Sequence, residues 1–448
     1  MRRNVLTACL MMLVGADAAG AAVQITVYNE DLALVKDTRD LEFQKGRFEL
    51  SFTDVAAAID PTSVAFSAVD NPDAVTILEQ NYRYDLVSAE KVLEKYLDRP
   101  IRIITRQDKM HEGVLLSVDG TALTMQLPGG ELRIVNREQI ADLSLAELPE
   151  GLITRPTLVW MLDSDVSGAI AAEVRYLTHQ IGWHAEYVAT VAADEAQLDL
   201  AGWVSIDNRS GATYADAKIK LIAGDVNRVQ DKAIVPPEMA MRRMAAADAG
   251  FEEKEFFEYH LYTLPRPSTV RDNEIKQLAL FAPARVAAKK MFTYDGAADG
   301  KKVRVTMEFV NAADAGLGIP LPKGVIRVMK ADTDGSLEFV GEDRIDHTPK
   351  DEKVRVFLGH AFDVVGERTQ KDRRQITDQT TEEDFEIVLR NHKSGNITVV
   401  VTERMWGEWS ILTSSLTHRK KDANTAEWSV EVAGNGETRL TFTVRRTI

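Results

Sequence analysis

The chain has 448 residues, with 54 basic and 69 acidic side chains, a formal net charge of −15 and 45% hydrophobic residues. That length predicts roughly two to four domains, and the apolar fraction excludes a disordered chain. So acidic a chain is poorly suited to nucleic acid or anionic lipid, both of which need a basic surface.

The chain opens MRRNVLTACLMMLVGADAAGAAVQ. Arg2 and Arg3 precede an apolar run from Val5 to Val14, and Ala19-Gly20-Ala21 then fits a cleavage site. This pattern predicts a secretory signal peptide over residues 1–21, too short for a membrane span. Leu6-Thr7-Ala8-Cys9 has the residue types of a lipobox, but Cys9 precedes most of the apolar run, which argues against lipidation. Cleavage would remove the only cysteine, so no disulfide and no cysteine-ligated metal is expected. It would also remove Arg2, Arg3 and Asp17, leaving 52 basic and 68 acidic residues, net −16. No later apolar run reaches about 18 residues, so no transmembrane span is expected.

Residues 22–85 alternate at period two, with Phe48, Leu50 and Phe52 on one face, and predict a small antiparallel β domain. Residues 86–148 begin with a short helix. Ser88 is its cap, Glu90 lies in its first turn, Val92, Leu93, Tyr96 and Leu97 form its apolar face, and Pro100 stands past its end. Five short strand signals follow between 101 and 147, separated by turns at Asp119-Gly120 and Pro128-Gly129-Gly130, and predict a small SH3- or Sm-like barrel. Residues 149–235 return to long strands. Residues 236–258 carry no β pattern and read as a mobile linker or loose helix, in which Met239, Met241 and Met244 could make an adaptable contact face. Residues 259–448 resume strands and end in an expected hairpin. There Trp428, Val430 and Val432 alternate, Gly434-Asn435-Gly436 turns, and Leu440, Phe442 and Val444 alternate back. The predicted class is therefore mainly β: antiparallel sandwich domains, a small barrel insert and few short helices.

Catalytic signatures are few. No G-x-S-x-G elbow and no H-E-x-x-H helix occurs. Gly296 to Lys302 has the wrong spacing for a phosphate loop, and Asp332 to Gly335 has its glycine too early for a calcium loop, so both read as turns. The eight histidines are scattered without metal-ligand spacing. The stretch IGWHAEYVAT groups Trp183, His184, Glu186 and Tyr187, but strand alternation divides them. Trp183 and Tyr187 should face a core, and His184 and Glu186 should face out as a candidate binding surface. ERMWGEWS adds Trp406 and Trp409 as a candidate sugar-stacking platform, with Glu403 and Glu408 as carboxylates, although the end of a strand explains the same residues as rim aromatics. No cofactor is implied.

Three ordered segments carry a family resemblance: Tyr176 to Asn227, Glu258 to Phe281 and Gly318 to Pro349. With the N-terminal YNEDLALVKDTRDLEFQKGRFELSF, they resemble a bacterial exported family of unknown function that includes the mucoidy-inhibitor-like proteins. Many members carry a long coiled coil where this chain has a short helix and small barrel. The resemblance implies export and a β-rich fold, and brings no catalytic residues. The expected function is a non-enzymatic binding or scaffolding protein of the cell envelope, periplasmic or secreted, whose partner is an envelope protein or cell-surface polymer. The alternative is a hydrolase acting on envelope glycan or peptide.

Overall fold

A computed structural model describes residues 22–147, 149, 151–224, 251–256, 259–332 and 334–447. The fold is mainly β, as expected. The expected signal peptide, 1–21, lies outside the described residues. So do Met239, Met241 and Met244 and most of the expected linker. Within that linker, however, Glu252–Phe256 is a strand paired with Tyr259–Thr263.

The N-terminal segment does not make a domain of its own. Ala22–Tyr28 pairs antiparallel with Ala33–Phe43 on one side and parallel with Tyr214–Ala223 on the other, with Ile25 opposite Ile219. Gly168–Thr178 then lies along the outer side of Ala33–Phe43. A second, three-stranded sheet runs Gly46–Thr53, Thr157–Ser164, Val75–Arg83. Phe48, Leu50 and Phe52 do share one buried face, as the alternation predicts. They meet Leu158, Trp160 and Leu162 from a strand more than a hundred residues away. Period two marks which face a residue takes; the partner strand is chosen by tertiary packing.

A long third sheet completes this core. Ile181–Val191 stands between Gly324–Ala331, which is parallel to it, and Gln197–Asn208, which is antiparallel. Trp183 sits in the shared core and donates its indole N–H to the Ile222 carbonyl at 3.1 Å, tying this sheet to the first. Two strands then leave the first core for a second. Glu274–Tyr294 buries Leu278, Leu280 and Val286 in the first core, then Phe292 and Tyr294 in the second. Lys353–Thr377 buries Val354 and Val356 in the first, then Val364 in the second. Register shifts along both let a strand turn from one sheet into another.

The second core holds Trp428, Val430, Leu440 and Phe442. The alternation at the C-terminus is as expected, but the hairpin is not formed. Thr425–Val432 pairs with Ile397–Arg404 and His418–Asp422, whereas Gly436–Thr447 pairs with Thr380–Asn391 and Glu408–Ser414. The turn is an arch. Its two strands face one another across the core, where the Trp428 and Phe442 rings stack at 4.8 Å. The segment from Gly296 also differs from a plain turn: Gly296–Asp299 is a short helix whose first amides donate to the Asp295 side chain.

Residues 86–147 hang from the three-stranded sheet. The helix Ala89–Lys95 is capped by Ser88, whose hydroxyl accepts from the Lys91 amide at 3.2 Å. Five antiparallel strands follow in the order Ile140–Ser144, Pro100–Thr105, Met110–Val118, Ala122–Gln126, Leu132–Asn136. They enclose Leu93, Tyr96, Ile103, Leu115 and Met125 as a separate core. Entry and exit are adjacent: Arg83 lies opposite Thr157, and the Val87 amide donates to the Ile153 carbonyl at 2.9 Å.

Candidate functional site

The strand Ile181–Val191 divides as expected: Trp183 and Tyr187 are fully buried, and His184 is exposed. Glu186 is not a freely solvated partner. Its carboxylate collects donors from three other strands. Ser205 Oγ and Gln277 Nε2 each donate to Oε2 at 2.8 Å. Arg327 and His184 approach Oε1 at 3.5 and 3.7 Å, and Arg327 also reaches Glu342 at 3.2 Å. Side-chain bonding to His184, helped by Ser205 and the Arg327 charge, outweighs burial and pulls the Glu186 carboxyl down to about 2. A carboxylate held that low stays ionised at neutral pH and is a poor proton carrier. It acts as a clamp across four strands.

The C-terminal candidates separate. Glu403 faces inward, 2% exposed, and Arg368 donates to its two oxygens at 2.5 and 3.1 Å. The same guanidinium lies 4.1 Å from the Phe385 ring centroid. Burial is the strongest influence on Glu403 and pushes its carboxyl up, with Arg368 opposing. Glu408 begins an outer strand and is exposed. Trp406 is 70% exposed, with the Arg446 guanidinium 5.6 Å from its ring. Trp409 is half-buried; its indole N–H donates to the Ala423 carbonyl at 2.6 Å, and the Lys420 ammonium lies over its ring at 4.5 Å. The structure therefore does not bring the six candidates together. His184 and Glu186 lie outside the first core; Glu403 is inside the second, with the tryptophans and Glu408 around its rim.

One concave surface was not anticipated. A groove of about 520 Å³ crosses the outer face of the sheet over the second core. Thr293, Thr306, Thr402 and Ser429 lie along it, with Arg355 at one end and Arg419 and Lys421 at the other. Alternate residues of the same strands, Phe292, Tyr294, Val399, Val401 and Trp428, form the core beneath. The outward threonines are visible in the sequence as polar positions of alternating strands, but their assembly across residues 291–429 is not. Among the described residues, no group of three or more His, Cys, Asp or Glu side chains is arranged to hold a metal ion. Comparison of the chain with protein-family models and with curated proteins finds no match.

Proposed function

We propose that this is an exported protein of the bacterial cell envelope, periplasmic or secreted, that binds or scaffolds and does not catalyse. The resemblance to the mucoidy-inhibitor-like family and the leader-like N-terminus support the location. The observation that carries this reading is that the Glu186 and Glu403 carboxylates are both already engaged. Glu186 is bonded by Ser205 and Gln277, and Glu403 is sealed against Arg368. Glycan hydrolysis needs two accessible carboxyl groups facing one cleft, about 5–10 Å apart. Glu403, buried and paired, argues against the hydrolase alternative. The inserted five-stranded sheet reads as an SH3- or Sm-like module suited to docking a peptide. No helix among the described residues is long and apolar enough to cross a membrane.

The test is crosslinking in intact cells followed by recovery of the chain. The expected result is a covalent adduct with an envelope protein or a surface polymer. Recovery of the uncrosslinked chain alone, where established envelope complexes crosslink, overturns the proposal.

A further inference from the structure

We propose that the groove over the second core is a binding site for an anionic saccharide, a short glycan chain bearing carboxylate or phosphate groups. This deepens the reading of the chain as a binding protein and rests on it.

The chain is acidic overall, at −15, yet the groove is lined by Arg355, Arg419 and Lys421 against one carboxylate, Glu427, with His418 beside them. The carboxylates that hold these cations are too few to neutralise them. Glu427 takes both Arg419 and Lys421, at 2.5 and 2.8 Å. Glu308 takes both Arg355 and Lys353, at 2.7 and 3.6 Å. Within the lining, three cations (Arg355, Arg419 and Lys421) against the one Glu427 carboxylate leave a local excess of two positive charges on an acidic protein. Each shared carboxylate also fixes its cations in place, so a ligand meets them already oriented. A concave surface concentrates such a field on an incoming anion.

The floor selects within anions. Thr293, Thr306, Thr402, Thr417 and Ser429 line it with five hydroxyls; that of Thr402 donates to the Tyr294 carbonyl at 3.4 Å and turns its acceptor capacity to the groove. Met291 and Val400 are the two apolar residues of the lining, and the threonine methyls and aliphatic arms of the cations add apolar surface on which a sugar ring's C–H face can rest. A hydroxyl-rich ligand matches that floor better than an acidic peptide does. The groove runs over six adjacent strands, from Lys353–Thr377 through Lys302–Val310, Glu274–Tyr294, Ile397–Arg404 and Thr425–Val432 to His418–Asp422. At ~4.8 Å between neighbours this is about 24 Å, a length suited to several sugar units.

The test is calorimetric titration of the full chain with four probes: oligogalacturonate, a phosphorylated oligomannose, maltohexaose and poly-glutamate. Binding of either anionic saccharide, but not neutral maltohexaose, is expected, and the two anionic arms tell carboxylate from phosphate. Arg355→Gln with Arg419→Gln should weaken it about tenfold or more, since two charge-assisted contacts are lost. Both side chains are more than half exposed, and Glu308 and Glu427 keep Lys353 and Lys421 as partners, so the fold should hold. Independently of any variant, bound saccharide should slow acetylation of Lys421 several-fold. Three results each overturn the inference: no binding of either anionic saccharide, equal binding of poly-glutamate, or Lys421 acetylation unchanged by saturating ligand. If crosslinking in cells still captures a partner in those cases, the binding reading survives and only this ligand class falls.

Discussion

Removing Arg368 should expose how strongly the second core depends on one ion pair. Glu403 is 2% exposed and the Arg368 side chain is 21% exposed, so neither charge is well hydrated. Arg368→Met keeps the stem that packs on Phe385 and deletes the charge. Breaking a buried pair from one side costs about 3–5 kcal/mol, because the remaining charge has no partner. The cost should depend on pH with a definite sign. Burial and Asp295 already raise the Glu403 carboxyl above its ordinary 4.5, against the pull of Arg368. Without Arg368 it rises further. A carboxyl raised in the folded state favours folding below its unfolded value, and that contribution is lost as pH rises through the folded value. The penalty should therefore be largest near pH 8 and shrink toward pH 5. Urea unfolding at both pH values, followed by tryptophan fluorescence, measures it. Arg368→Met with Glu403→Leu should recover most of the loss, since an apolar pair of similar volume avoids desolvation. A single-variant cost below about 1 kcal/mol at pH 8, or a larger cost at pH 5, would refute the reasoning.

Three further outcomes follow from the same structure. Glu186, held near 2, contributes stability that is present above 4.5 and lost as pH falls from there through about 2. The wild type should thus lose stability faster than Glu186→Gln across that window in acid titration followed by circular dichroism; parallel curves would contradict the clamp. Replacing residues 89–147 with a short Gly-Ser joint should leave both remaining cores folded, with thermal midpoints within a few degrees, because the insert's ends already pair. Failure of that shortened chain to give a cooperative transition would show the insert to be integral. A Cβ on Gly434 would lie 2.0 Å from the Ser394 carbonyl oxygen, whereas one on Gly395 meets nothing within 4 Å. Gly434→Ala should destabilise by about 1–3 kcal/mol and Gly395→Ala far less, read by urea midpoints; equal effects would exclude the arch.

What was legible in the sequence was local. The Ser88 cap, the helix behind it and the run of five strands up to Ser144 involve mostly neighbours in the chain, and period and turn chemistry suffice for them. The inward Trp183 and Tyr187 follow from alternation alone. The same rule, applied to NITVVVTERM, puts Val399, Val401, Glu403 and Met405 on one buried face. The burial of Glu403 could thus have been read beforehand, had the tryptophans beside it not suggested a rim. Pairing was the part that could not be read. Ile25 finds Ile219, and Trp428 faces Phe442 across a core where a hairpin would set their strands side by side. Alternation is identical in a hairpin and an arch. The groove was hidden for the same reason, since its charges come from strands that meet only after folding.

The two strands that pass through both cores give this molecule the character of a beam. A linker between the cores could be bent or peeled at little cost. Glu274–Tyr294 and Lys353–Thr377 cannot, because each is laddered to neighbours on both sides of the crossing. A pull on a ligand held over the second core would reach the first as shear along many hydrogen bonds loaded together. The inserted module, held by its two closely set ends, is attached as a pendant instead. A protein built this way can carry load from one core to the other through the two strands they share, while the inserted module stands outside that path.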